Sequence, residues 1–290
     1  MSVLADKNTR VLIQGITGIQ AAFHVKKSMQ GGTNVVCGTS PKHGGETHLG
    51  VPVFNNVAEA RRSCKFDASV LFVPAQALKH AVREAVEAEI PLIVSIADGV
   101  PVHDMLEIKA MLNGSKTLMI GPNTPGLITP EEARLGIFPE NIHHKGKIGI
   151  VSRASTLTYE AVLETNTVNM GQSTVIGLGD DLIIGTDFRP VLGKFMEDDE
   201  TKAVVLIGKA NSSYEQMAAE YYAGLANKKP VIAFIAGESL PYGYTMGYAM
   251  DIVTHGRVTV ADKKKIMQQA GMIVVDSMND VHQTLLDLKL

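Results

Sequence analysis

The chain has 290 residues, with 27 Lys and Arg against 30 Asp and Glu for a formal charge of −3; that is long enough for two domains and lacks the basic excess that would hold nucleic acid. A hydrophobic fraction of 45% excludes disorder as the main state, and no apolar run approaches the ~18 residues of a bilayer span. Cys37 and Cys64, the two cysteines, make neither a disulfide framework nor a cysteine-rich zinc site. With no signal-peptide pattern over residues 1–9, the expectation is a soluble cytoplasmic protein, or a matrix protein if the source is eukaryotic and the chain processed.

Short Val- and Ile-rich runs recur in chain order: 11–13, 34–37, 69–73, 92–96 and 118–120, then 148–151, 173–176, 203–207, 231–235 and 272–275. Continuous apolar runs without polar alternation predict strands buried on both faces of a parallel sheet. Helical spacing fills the gaps. Residues 77–88 put Leu78, Ala81, Val82, Ala85 and Val86 on one face, and 105–112 and 263–270 read alike. Strand–helix alternation from end to end predicts doubly wound α/β architecture. The segment Gly121–Pro130, with prolines at 122, 125 and 130, breaks regular structure. It sets the expected division at 1–122 and 123–290. The basic run His143–Lys147 reads as a solvated loop.

The first strand runs into Gln14-Gly15-Ile16-Thr17-Gly18-Ile19-Gln20, a strand, a glycine turn and a helix start. Glycine lets the backbone approach a ligand, and the helix N-terminus offers free N–H groups and a positive dipole end to an anion. The spacing is G-x-x-G, not the G-x-G-x-x-G of dinucleotide enzymes. After the second strand comes Gly38-Thr39-Ser40-Pro41-Lys42-His43, with no carboxylate for an NAD ribose but with a lysine. A cation there suits a phosphorylated nucleotide such as coenzyme A, although a lysine in a loop is also an ordinary solvated side chain.

The runs NTRVLIQGITGIQAAFH, GTSPKHGGETHLGVPVFNNVAEA, IGPNTPGLITP and GKIGIVSRASTLTYEAV together resemble the α subunits of the succinyl-CoA synthetase family, nucleotide-dependent acid–CoA ligases. The resemblance runs in register from about Ser2 to the C-terminus. It implies an N-terminal Rossmann-like CoA-binding domain, a C-terminal flavodoxin-like ligase domain, and a heteromer with a β subunit. That partner has an ATP-grasp fold and carries the Mg-nucleotide, ATP or GTP. It also implies a relay in which an α-subunit histidine is phosphorylated, the phosphoryl group passes to a small carboxylic acid, and the CoA thiol attacks the acyl phosphate. The histidine thus splits one condensation into easier transfers.

The resemblance places CoA against Thr17, Gly18, Ile19 and Gln20, with Ile19 where the family has serine. It adds Lys42 or His43 after the second strand, and Ile96, Ala97 and Asp98 at a later strand end. Tyr159 matches a substrate-side tyrosine, Ser155 and Thr156 a phosphate turn, and Thr124 stands where many members have cysteine. No metal site is expected on this chain. Departures gather around the relay. The family's Met-Gly-His-Ala-Gly-Ala reads Met246-Gly247-Tyr248-Ala249-Met250-Asp251 here, so Tyr248 occupies the phosphohistidine position. The acid after Ile-Gly is Lys209, and a paired glycine is Asp180, followed by Asp181. Lys209 suggests a contact to an anionic acid or an ion pair with Asp180. His255, seven residues past Tyr248, is the remaining imidazole of that region and reads as a solvated loop residue.

Residue types alone give second readings. Ser155 and Thr156 serve equally as helix caps, as do Asp180 and Asp181, and Tyr159 as packing beneath the turn. The expected function is the α subunit of an acid–CoA ligase with an altered phosphoryl relay. The alternatives are a catalytically inactive CoA- or acyl-CoA-binding pseudo-subunit or regulator, and a histidine-independent acyl or carbamoyl transferase. An NAD dehydrogenase comes last, opposed by glycine spacing and the absent ribose carboxylate.

Overall fold

A computed structural model of the chain describes residues 3–238 and 258–290. Packing groups them into two compact units, one of residues 4–140 with 178–186 and the other chiefly of 141–177 and 187–290.

The amino-terminal unit begins β1 (Val11–Gln14), α1 (Ile19–Gln30), β2 (Val35–Thr39), β3 (Thr47–His48), β4 (Val51–Phe54), α2 (Val57–Ser63) and β5 (Ala68–Leu71). It continues α3 (Ala75–Glu87), β6 (Leu92–Ser95), α4 (Val102–Asn113) and β7 (Leu118–Ile120), then the hairpin β8 (Gly126–Thr129) and β9 (Ala133–Gly136). The first seven strands form one sheet in the order β3-β4-β2-β1-β5-β6-β7, parallel except where β3 meets β4. β1, β5 and β6 are buried along their whole length, as their unalternating apolar runs require. Helix α3 turns Leu78, Ala81, Val82 and Ala85 to this core.

The carboxy-terminal unit runs β10 (Lys145–Ser152), α5 (Ser155–Thr167), β11 (Gln172–Gly177), α6 (Phe188–Glu197), β12 (Ala203–Lys209), α7 (Tyr214–Ala223) and β13 (Val231–Ala236). After the undescribed segment come α8 (Val260–Gln269), β14 (Ile273–Val274) and α9 (Asp280–Asp287). Here β14-β13-β12-β10-β11 lie side by side, all parallel. The doubly wound α/β class expected for both halves is what the chain adopts.

Each of the ten apolar runs became a strand, and among the described residues four further strands were not anticipated. β4 holds Pro52, and proline is confined to edges, bulges and strand starts. β8 arises inside the glycine–proline stretch and pairs with β9 just past it because Gly126 and Gly136, at φ +97° and +137°, let the two backbones approach. A Cβ on Gly126 would stand 2.0 Å from Leu135 O. Residues 123–140 pack with the amino-terminal unit. The basic run at 143–147 is not a wholly solvated loop: His143 is buried and Lys145 already belongs to β10.

Candidate functional site

In the amino-terminal unit the chain leaves β1 through α1 to β2 on one side, then crosses to β5 and β6 on the other. β1 and β5 therefore flank a topological switch point, where an open α/β sheet makes its ligand crevice. Gly15 closes β1 there with φ +82°. Its N–H donates to Thr39 O at 2.8 Å, and a Cβ on it would stand 2.6 Å from Phe72 O, just past β5. Only glycine fits that close approach. Gly18 then caps α1 without a side-chain acceptor, and the first turn contains no acid. The helix start is left as backbone donors with a positive dipole end, the arrangement that receives a phosphate.

Around this turn the structure gathers the other expected positions. Thr17 Oγ1 and Ser40 Oγ are hydrogen-bonded at 2.6 Å, tying the loops after β1 and β2. Lys42 is exposed at φ +70°. Its loop is held by Asn55 Oδ1, which accepts from Lys42 N–H at 3.1 Å and Gly44 N–H at 3.2 Å. His43 Nδ1 lies 3.1 Å from Glu46 Oε1, so Lys42 is the less encumbered cation. Ile96 and Ala97 are half-buried and Asp98 exposed just past β6, where Ala97 O accepts from Asn123 N–H at 2.7 Å. Ile19 is 88% exposed and opens the helix. His24, one turn on, stacks on Phe72 with ring centroids 6.2 Å apart. Burial, with Arg134 and Lys27 nearby, pushes its pKa below the usual histidine value.

The carboxy-terminal unit repeats the logic. β10 leads through α5 to β11, then the chain crosses to β12, so β10 and β12 flank the second switch point, with Ser152 paired to Ile207. Past their ends, Arg153 N–H donates to Ile207 O at 3.0 Å. The cap of α5 is Ala154, with no side-chain cap bond, so the capping reading of Ser155 and Thr156 gives way: both belong to the helix's first turn. Asp180 and Asp181 do not cap either. Asp187 caps α6, accepting from Arg189 N–H at 2.9 Å, while Asp181 Oδ1 accepts from Asn123 Nδ2 at 2.9 Å. Asp180 falls in the amino-terminal unit and Lys209 in the other. Tyr159 is half-buried, and desolvation raises its phenol pKa.

Lys209 ends β12 with 3% of its surface exposed. Three residues that sequence reading passed over gather here, two of them on its backbone. Glu215, at 0% exposure, accepts Lys209 N–H on Oε1 at 3.0 Å. Lys263 of α8 donates from Nζ to Lys209 O at 2.7 Å, Ser212 O at 2.5 Å and Glu215 Oε2 at 2.9 Å. Arg153 lies 4.0 Å from Glu215 Oε1 and over the Tyr214 ring at 4.8 Å. Glu215 had a faint signal as an acid in the first turn of a helix. Lys263 had none, being one of three successive lysines. Tyr248 and His255 lie outside the described residues. One trio, exposed His103 with half-buried Asp104 and Glu107, has metal-binding spacing among the described residues, but the Lys79 ammonium already sits 2.7 Å from Asp104 and 3.1 Å from Glu107.

Two switch-point crevices, each at a helix start without a side-chain cap bond, define the class: an α/β protein with a ligand crevice in each of two doubly wound units. Residues 6–99 match the CoA binding domain family and 151–279 the CoA-ligase family. The α subunit of ADP-forming succinate–CoA ligase from Staphylococcus epidermidis is 43% identical over 287 residues, covering 99% of this chain and 95% of that protein. Its Staphylococcus aureus counterpart aligns equally well, at 43% over 287 residues. The chain belongs to the succinate–CoA ligase α-subunit family. An ATP citrate lyase of Methanothrix soehngenii, solved with citrate and coenzyme A, shares the fold at TM-score 0.87 and 20% identity. This chain covers 52% of that one, about half its length. A dinucleotide-forming acetyl-coenzyme A synthetase of Ca. Korarchaeum cryptofilum aligns over 94% of this chain and 59% of its own at TM-score 0.77 and 16% identity. Among the described residues no helix is long and apolar enough to cross a membrane.

Proposed function

We propose that this chain is the α subunit of a nucleotide-dependent acid–CoA ligase, working with an ATP-grasp β subunit that carries Mg-ATP or Mg-GTP. The observation that carries the reading is the coincidence of full-length family membership with a first crevice fitted to a phosphorylated nucleotide. Gly15 lets β1 close against the Phe72 backbone at the crevice, and α1 presents backbone donors with no acid in its first turn. Residues 17–20 would hold the phosphates, Lys42 or His43 the phosphorylated ribose, and Ile96, Ala97 and Asp98 the pantetheine arm. Bound there, CoA supplies the thiol that becomes the thioester.

In the second crevice the N-terminal turn of α5, with Ser155 and Thr156, receives phosphate. Lys209 and Tyr159 face the carboxylic acid. Lys209, fixed by Glu215 and Lys263 through its backbone, brings a positive charge where the family places an acid. That favours an acid bearing a second anionic group. Tyr248 stands at the phosphohistidine position, and a phenol of pKa ~10 is mostly protonated near neutrality and needs a base before it attacks phosphorus.

The test is coexpression with the ATP-grasp partner, followed by assay of acid- and CoA-dependent ADP or GDP release over a broad panel of acids. The expected result is turnover with at least one acid, and its absence across the panel together with loss of CoA binding would overturn the reading. Tyr248 favours one second reading, a CoA-binding pseudo-subunit. Titration of the chain with CoA would then give saturable binding that Lys42→Ala weakens, with no turnover under any acid.

A further inference from the structure

We propose that the groove between α2 and α3 is a second anion site, built for a small phosphorylated molecule and separate from the CoA crevice. The cavity has a volume of about 600 Å³, within the ~300–1,000 Å³ usual for small-molecule pockets. Its polar walls are Arg61 and Arg62 from α2 and His80, Arg83, Glu84 and Glu87 from α3. None of these belongs to the turn at 15–20, the loop at 38–43 or the strand end at 96–98.

Three features distinguish this wall from a scatter of solvated charges. Arg61 is held in direction: its Nη1 donates to Phe66 O at 2.9 Å, and its guanidinium lies 4.8 Å over the Phe66 ring. Arg62 and Arg83 are exposed and make no ion pair among the described residues, so both forks stay available. Glu84, the acid deepest in the groove, is already engaged. Its Oε2 accepts Val57 N–H at 3.0 Å, and its Oε1 lies 3.4 Å from His80 Nδ1. Three arginines thus line the cavity, Arg61 fixed on Phe66 and close enough to act on Asp67, against the single uncommitted carboxylate of Glu87. Planar guanidinium forks match phosphate oxygens two at a time, which favours phosphate over a spherical anion. Ala58 and Ala88 complete the walls without charge, leaving room for a small uncharged body attached to the phosphate.

The probe is inorganic pyrophosphate, titrated calorimetrically into the full chain at near-physiological salt. Wild type is expected to bind with millimolar affinity or tighter. The double variant Arg62→Ala/Arg83→Ala should bind at least 10-fold more weakly, with an unchanged thermal midpoint because both side chains are exposed. Lys42→Ala, in the CoA crevice, should leave this binding intact, which separates the groove from any pyrophosphate taken by the α1 cradle. No saturable binding to wild type, an Arg62→Ala/Arg83→Ala isotherm that superimposes on it, or loss of all binding in Lys42→Ala would overturn the proposal.

Discussion

Gly15 carries the strictest demand on a single residue. Alanine there would keep a left-handed φ of +82° and set its methyl 2.6 Å from Phe72 O. The conformational cost alone is about 1–2 kcal/mol, and relieving the contact must part β1 from β5 at the crevice. Gly15→Ala is therefore expected to lower CoA affinity at least 10-fold together with the melting temperature, read by calorimetry and thermal denaturation. His24 gives a pH-dependent prediction. Its folded pKa is depressed, so the unfolded chain binds the proton more tightly, and this contribution to stability is lost as pH falls below the unfolded value of ~6.5 toward the folded one. Urea midpoints should rise with pH across that window, and His24→Phe should flatten the rise. In the second crevice, Lys263→Met would leave Glu215 buried without its ammonium, at a cost of about 3–5 kcal/mol. Adding Glu215→Gln should recover part of that loss, whereas additive losses in the denaturation curves would show the two residues uncoupled.

At the scale of elements, α1 is held to its unit by a buried arginine more than by its own amphipathicity. Arg134 of β9 is 4% exposed. It donates to His24 O at 2.6 Å, Ser28 Oγ at 3.0 Å and Phe138 O at 2.9 Å, and lies 3.1 Å from Glu140 Oε1. Arg134→Met would strip donors from two carbonyls and desert a carboxylate. The expected destabilisation is about 3 kcal/mol, with amide exchange accelerated first in α1. Nothing in the sequence pointed to this residue, because a hairpin at the end of a glycine–proline stretch does not read as a strand and the arginine's partners in α1 are about a hundred residues away. Local signals fared better. The face of α3 was legible because its period settles which residues meet the sheet. Even so, α8 begins three residues ahead of the expected 263, fixed by the reciprocal Thr259–Asp262 capping box. That pattern was present in the sequence and simply outweighed by polar composition.

For the molecule as a whole, the order of strands decides where chemistry is placed, and that order is not written in any local run. Alternation made the class legible. Only the strand crossings show that 15–20, 38–43 and 96–98 follow the ends of strands in one sheet, and that Ser155 lies past β10 while Lys209 ends its neighbour β12 in another. The backbone clamp on Lys209 stayed hidden because Glu215 and Lys263 come from α7 and α8, 48 residues apart. It bears directly on the relay proposed above. If Tyr248 were the sole obstacle to phosphoryl transfer, Tyr248→His would restore an acid-labile, base-stable phosphohistidine when the chain is incubated with the ATP-grasp partner and labelled nucleotide. Yet the resemblance implies an acid that supports the imidazole where this chain has Lys209, whose backbone is held by two bonds, its N–H to Glu215 and its carbonyl from Lys263. A cation there opposes the imidazolium character that an acid would stabilise. Tyr248→His alone is thus expected to incorporate no label above background, and Tyr248→His/Lys209→Glu to incorporate it. Efficient labelling of the single variant would mean that Lys209 does not act on the relay at all, and that its charge serves the acid alone.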